Sequence, residues 1–201
     1  MKKTLPQLLV EYGRYTDKEV AEWGGHGYGA MYEHLLGPIK PIRNILEIGC
    51  QFFGGGGLLA FAERFPEATV AGLDVTFDNL SIEAKSHPRI RTFQGDAYQD
   101  HTVTQFRQEF TEDFDLIIED AVHVPEFQER AFSLYSKLLS PHGIYVIEDV
   151  SDLDDMSKRL VRHNDEWVVI LGDCRKKAPC PSGFLSILVA LTRRNNIAQT
   201  G

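Results

Sequence analysis

From residue 44 onward, short β-rich runs alternate with helix-length amphipathic stretches. That alternation restricts the chain to a parallel sheet covered by helices on both faces. Strands are expected at 44–48, 69–73, 89–93, 114–118 and 144–147. The clearest helix spans 125–139, where Phe127, Ala131, Leu134 and Leu138 recur at helical spacing and Pro141 and Gly143 stop it. After a further helix near 153–163, two strands at 167–171 and 184–191 are separated by a segment with two prolines and two glycines. A parallel return needs a crossover, usually helical, so these two strands pair antiparallel as a hairpin. The expected architecture is α/β: a doubly wound, seven-stranded, mostly parallel sheet ending in an antiparallel hairpin, behind a short helical N-terminal arm.

At 201 residues, 43% hydrophobic and 25% charged, the chain suffices for one ordinary core but is short for two full domains. Its net charge of -8 argues against a nucleic-acid or anionic-membrane partner. The basic clusters at 175–177 and 193–194 are short and read as solvated loop residues. Cys50, Cys174 and Cys180 match no zinc spacing, and no signal segment opens the chain, so a reducing cytoplasm is expected. No apolar run approaches the roughly 20 residues that span a bilayer. The first 43 residues form a separate stretch rich in aromatics, among them Tyr12, Tyr15, Trp23, Tyr28 and Tyr32. Short helices at 4–11 and 30–36 are expected there, serving as a lid, a packed arm or a contact in a homo-oligomer.

Two of the expected strands close in an acidic pair, Glu119-Asp120 and Glu148-Asp149, and His123 lies three residues beyond the first pair. Buried strands rarely end twice in Glu-Asp, so carboxylates gathered at one sheet edge point to a hard divalent cation such as magnesium. Imidazole titrates near neutral pH and suits a general base. Asp152, Asp154 and Asp155 fit a helix N-terminus better than a metal site.

On the other side of the sheet edge, Glu47, Gly49, Gly54 and Gly55 belong to a glycine-rich turn leading into a helix near Leu58. Such a turn lets backbone N–H groups approach a ligand. Asp74 closes the second strand, where an acidic side chain commonly meets ribose hydroxyls. Asp96 and Ala97 close the third and are placed to read an adenine edge. Gln51 stands where a dinucleotide fingerprint requires glycine, which disfavours a pyrophosphate.

Asp120-Ala-Val-His123 and Tyr145-Val-Ile-Glu148-Asp149, with Asp17-Lys18, His26-Gly-Tyr28 and Tyr32-Glu33 upstream, resemble segments of class I S-adenosylmethionine-dependent methyltransferases. The resemblance covers roughly residues 15–192 and is most specific to the metal-dependent sugar O-methyltransferases of macrolide tailoring. It implies a Rossmann-like cofactor-binding domain over 44–201 and S-adenosylmethionine held by Glu47, Gly49, Gly54, Gly55, Asp74, Asp96 and Ala97. It also implies magnesium on Asp120, Glu148 and Asp149, with His123 as base, and a carbohydrate or other small-molecule acceptor. The glycine loop is two residues longer than is usual for the family, and Ala121-Val122 stands where the family has Gly-Ser. Three alternatives stay open: methylation of a catechol or polyketide phenol, an NAD-type oxidoreductase, and a non-catalytic cofactor-binding protein.

Overall fold

The computed structural model describes residues 2–19, 25–39, 41–161, 166–174 and 187–193. The parallel part of the sheet comprises β1 (Asn44–Ile48), β2 (Thr69–Asp74), β3 (Ile90–Gln94), β4 (Phe114–Glu119) and β5 (Leu139–Ile147). β6 (Trp167–Asp173) and β7 (Ile187–Arg193) complete a seven-stranded sheet of order β3-β2-β1-β4-β5-β7-β6, with β7 antiparallel to both β5 and β6. The expected antiparallel ending is therefore present, although the connecting loop falls mostly outside the described residues.

Two boundaries differ from expectation. The α-helix expected to reach 139 ends at Tyr135, continues as a 3₁₀ turn over Ser136–Leu138, and gives way to β5 at Leu139. Leu139 already pairs with Phe114, and the register then shifts so that Leu116 meets Ile144. Pro141 and Gly143 lie within this irregularity, where a missing ladder N–H is tolerated. They end the helix as expected but do not delay the strand. β7 extends to Arg193, beyond the expected 191, because Arg193 still pairs with Trp167.

The helices are α1 (Leu5–Glu11), α2 (Gly29–Leu36), α3 (Gly56–Arg64), α4 (Ile82–Ser86), α5 (Asp100–Glu109), α6 (Pro125–Tyr135) and α7 (Leu153–Val161). They form two layers. Leu5, Leu8, Tyr28, Tyr32, Leu58 and Phe61 pack with Ile45, Leu116, Ile118 and Val146 on one sheet face. On the other face, Phe106, Ala131, Phe132, Met156 and Leu160 pack with Leu46, Ile48, Ile117, Tyr145 and Ile147. The N-terminal helices thus pack into the core of that face. Among the described residues no helix is long and apolar enough to cross a membrane.

β1 sits between β2 and β4, so the chain order reverses there. At such a switch point the crossovers leave on opposite sides and open a crevice beyond the carboxyl ends of the strands.

Candidate active site

Strand alternation explains which carboxylates meet. Side chains along a strand alternate faces, and paired residues of parallel neighbours share a face. Glu47 pairs with Ile118, and Glu119 pairs with Ile147. Continuing one residue, Glu148 N–H donates to Glu119 O at 3.0 Å and Asp120 N–H to Ile48 O at 2.9 Å, so the ladder carries Asp120 and Glu148 past the strand ends side by side. Glu47, Asp120 and Glu148 therefore project to the face covered by the N-terminal helices. Glu119 projects to the opposite face. Asp149 then leaves the strand in the left-handed region at φ 53°, which turns its carboxylate toward the crevice.

Into the first group comes Lys18, which is 2% exposed. Its Nζ lies 2.5 Å from Asp120 Oδ2, 2.5 Å from Glu148 Oε2 and 3.1 Å from Glu47 Oε1. Burial alone would lower the ammonium's pKa, but Asp120, Glu148 and Glu47 outweigh it and hold it well above its usual value. The second oxygen of Glu148 accepts from the Tyr32 hydroxyl. Burial drives the Glu148 carboxyl well above the ordinary range against the pull of Lys18, and pushes Glu47 up to about 6. Gly57 makes this crowding feasible: a Cβ there would lie 2.5 Å from Glu47 Oε1 and 2.9 Å from Lys18 Cε.

A second set surrounds Asp149. Tyr28 donates to Asp149 Oδ1 at 2.5 Å, His26 Nδ1 lies 3.3 Å from the same oxygen, and His26 stacks on the Tyr28 ring. Asp149 Oδ2 lies 3.7 Å from His123 Nε2. Burial and the neighbouring Asp120 raise the Asp149 pKa. Ligand atoms of Asp120, His123 and Asp149 all fall within 4.8 Å of one another, a donor set of two carboxylates and an imidazole that suits a divalent cation. Glu148, expected as a third carboxylate ligand, is not in this group; its oxygens meet Lys18 and Tyr32 instead.

Two cavities meet at this cluster. The larger, of about 430 Å³, is lined by Lys18, Glu47, Asp120, His123 and Asp149 together with Tyr15 and Phe53. The smaller, of about 210 Å³, is lined by Asp74, Asp96, Ala97 and Val122. Gly49, Phe52, Asp120 and Ala121 line both. Gly49 has φ +82°, and a Cβ there would lie 2.4 Å from both Ala121 Cα and the Asp120 carbonyl oxygen.

Asp74 Oδ2 accepts from the N–H groups of Cys50 and Gln51 at 2.9 and 3.1 Å, so the side chain at the end of β2 also shapes the glycine-rich turn. Asp96 Oδ1 accepts from Tyr98 N–H at 3.0 Å. Gly54 and Gly55 line neither cavity; they press against Tyr15 and Leu80 and turn the chain into α3. Glu47 Oε2 is buried without a hydrogen-bond partner among the described residues, at the wall of the larger cavity. An acceptor left open in this way suits the ammonium of an amino-acid-bearing cofactor such as S-adenosylmethionine.

On the opposite face, Glu119 Oε1 accepts from the Tyr98 hydroxyl at 3.0 Å, while Glu119 Oε2 has no partner among the described residues. Burial pushes its pKa up to about 8. Glu119 is not in the metal-competent group, whereas Asp120 is. Lys18, His26, Tyr28 and Tyr32 were not singled out as site residues from the sequence. Their only signal was the likeness of their segment to the region preceding the fold in the methyltransferases.

No family model matches the sequence. The chain is 29% identical over 135 residues to the 8-demethyl-8-alpha-L-rhamnosyl tetracenomycin-C 2'-O-methyltransferase of Streptomyces olivaceus, a match covering 64% of this chain and 34% of that protein. It is 32% identical over 111 residues to the mycinamicin VI 2''-O-methyltransferase of Micromonospora griseorubida, covering 53% of this chain and 27% of the relative. The chain thus spans about a third or less of the length of these two curated relatives. Among solved structures, the MycE methyltransferase from the mycinamycin biosynthetic pathway, in complex with Mg and SAH, superimposes with a TM-score of 0.71 at 21% identity, over 96% of this chain and 55% of that one. The chain has the Rossmann-like class I methyltransferase fold, and its sequence is similar to that of the sugar O-methyltransferases of macrolide and tetracenomycin tailoring.

Proposed function

We propose that this chain is the catalytic unit of an S-adenosylmethionine-dependent, magnesium-assisted O-methyltransferase acting on a sugar hydroxyl of a glycosylated natural product. The observation that carries the reading is the shared wall of Gly49, Asp120 and Ala121 between a cavity edged by Asp74, Asp96 and Ala97 and one containing His123 and Asp149. The relatives whose names specify O-methylation of a rhamnosyl or mycinamicin acceptor support it.

In this reading Asp74, Asp96 and Ala97 hold the nucleoside end of the donor, Gly49 admits it closely, and Glu47 receives its ammonium. When bound, the donor supplies an electrophilic methyl group and the cation supplies Lewis acidity that lowers a hydroxyl pKa. Asp120 and Asp149 hold that cation. His123, whose Nε2 lies 3.7 Å from Asp149 Oδ2, accepts the hydroxyl proton. Holding both substrates in one crevice supplies much of the acceleration. Tyr15, Asp17 and Lys18 wall the acceptor cavity from the N-terminal side.

The test is methyl transfer monitored by mass spectrometry over a panel of glycosides and catechols, with magnesium and with EDTA. Magnesium-stimulated methylation of a glycoside, lost in Asp120→Asn, is the expected result. Methylation of catechols alone would overturn the acceptor class, and turnover indifferent to EDTA would overturn the metal.

A further inference from the structure

We propose that the ammonium of Lys18 is a resident cation of the carboxylate cluster, filling the place between Asp120 and Glu148 and thereby confining any divalent ion to the Asp120–Asp149 side. The inference deepens the reading above, since it assumes that a divalent ion serves this site. It also makes Lys18 a positioning residue in the wall of the larger cavity.

The argument is geometric. A cation between two carboxylates is what two adjacent acidic strand ends would otherwise recruit from solution. Here that place holds Nζ, at 2.5 Å from one oxygen of each partner. A magnesium ion needs oxygen ligands at about 2.1 Å and keeps several waters, and it cannot share that space with an ammonium. Glu148 offers no ligand atom to the group of Asp120, His123 and Asp149; one of its oxygens meets Lys18 and the other Tyr32. Asp120 differs: Lys18 contacts its Oδ2, and it still belongs to the group with His123 and Asp149.

The third contact, to Glu47 Oε1 at 3.1 Å, extends the arrangement across the sheet. One buried ammonium thereby fixes an acidic group from β1, one from the end of β4 and one from the end of β5. A single flexible side chain does not ordinarily reach three strands. It does so here because Gly57 leaves room at the start of α3 and because Tyr28 and Tyr32 anchor the same segment to Asp149 and Glu148. Lys18 also offsets charge that would otherwise draw divalent ions indiscriminately into three adjoining carboxylates.

Mn²⁺ alone is the probe, with affinity read from its electron paramagnetic resonance signal in wild type, Lys18→Met, Glu148→Gln and Asp149→Asn, and with thermal denaturation in EDTA and in Mn²⁺. Glu148→Gln should stay within about threefold of wild-type affinity, whereas Asp149→Asn should weaken binding by about tenfold or more. Lys18→Met should bind Mn²⁺ about tenfold more tightly or take up a second ion, and the ion should raise its Tm by more than it raises that of wild type. Equal losses in Glu148→Gln and Asp149→Asn would make Glu148 a ligand and overturn the proposal, as would unaltered binding in Lys18→Met. If Lys18→Met does not fold, the Glu148→Gln and Asp149→Asn pair decides alone. If wild type binds no Mn²⁺, the metal-assisted reading falls, and gain of binding in Lys18→Met then decides the role of Lys18 separately.

Discussion

Glu119→Gln should remove one large pH-dependent contribution to stability. Glu119 is fully buried on the face away from Lys18, with the Tyr98 hydroxyl on Oε1 and no partner on Oε2 among the described residues. Burial raises its pKa from 4.5 to about 8, with Asp120 adding to the rise and Tyr98 opposing it. A carboxyl whose folded pKa is raised favours folding in its protonated form. That contribution is complete below the unfolded pKa near 4.5, shrinks as pH rises, and is gone above about 8. Each unit between those limits is worth about 1.4 kcal/mol, so wild type should lose about 3 kcal/mol from this group between about pH 5.5 and about pH 8.5. Glutamine keeps an acceptor for Tyr98 and cannot ionise. Guanidinium unfolding of both proteins at the two pH values, in EDTA, isolates the effect, because the other titrating groups are common to both and cancel in the difference. The stability of Glu119→Gln relative to wild type should rise by about 3 kcal/mol across that interval. A difference that does not change with pH would refute a buried, protonated Glu119.

Gly49→Ala should cost about 2 kcal/mol or more, because a Cβ at φ +82° would sit 2.4 Å from the Asp120 carbonyl oxygen and Ala121 Cα; urea denaturation checks it. Its S-adenosylmethionine affinity by calorimetry should also fall, and a fully stable variant with unchanged affinity would contradict the close approach. Tyr28→Phe removes a donor from a buried carboxylate oxygen of Asp149 and should cost about 1–3 kcal/mol, read by the same denaturation. Stability equal to wild type would show that His26 alone satisfies that oxygen.

Much of this was legible in the sequence because alternating β-rich and amphipathic runs record burial on both sides of a parallel sheet. The five parallel strands, the antiparallel ending and the acidic strand ends follow from local patterns. What local patterns cannot carry is facing. Glu119, Asp120, Glu148 and Asp149 look equivalent in the chain, yet strand register sends Glu119 to Tyr98 and Glu148 to Lys18. Lys18 was equally opaque, since a lone lysine before the fold is ordinarily solvated and its partners lie 102 and 130 positions away. The boundary at Leu139 was missed because the proline that stops the helix sits inside a strand irregularity.

The reach of Lys18, Tyr28 and Tyr32 to the ends of β4 and β5 also has a bearing on synthesis. The segment carrying them leaves the ribosome well before Asp120, Glu148 and Asp149 do, and at about 5–20 residues per second the interval lasts many seconds. Throughout it an ammonium and two phenols destined for burial have no acidic partners, so the segment cannot dock in its final form. The crevice therefore cannot close until β5 enters the sheet, late in synthesis.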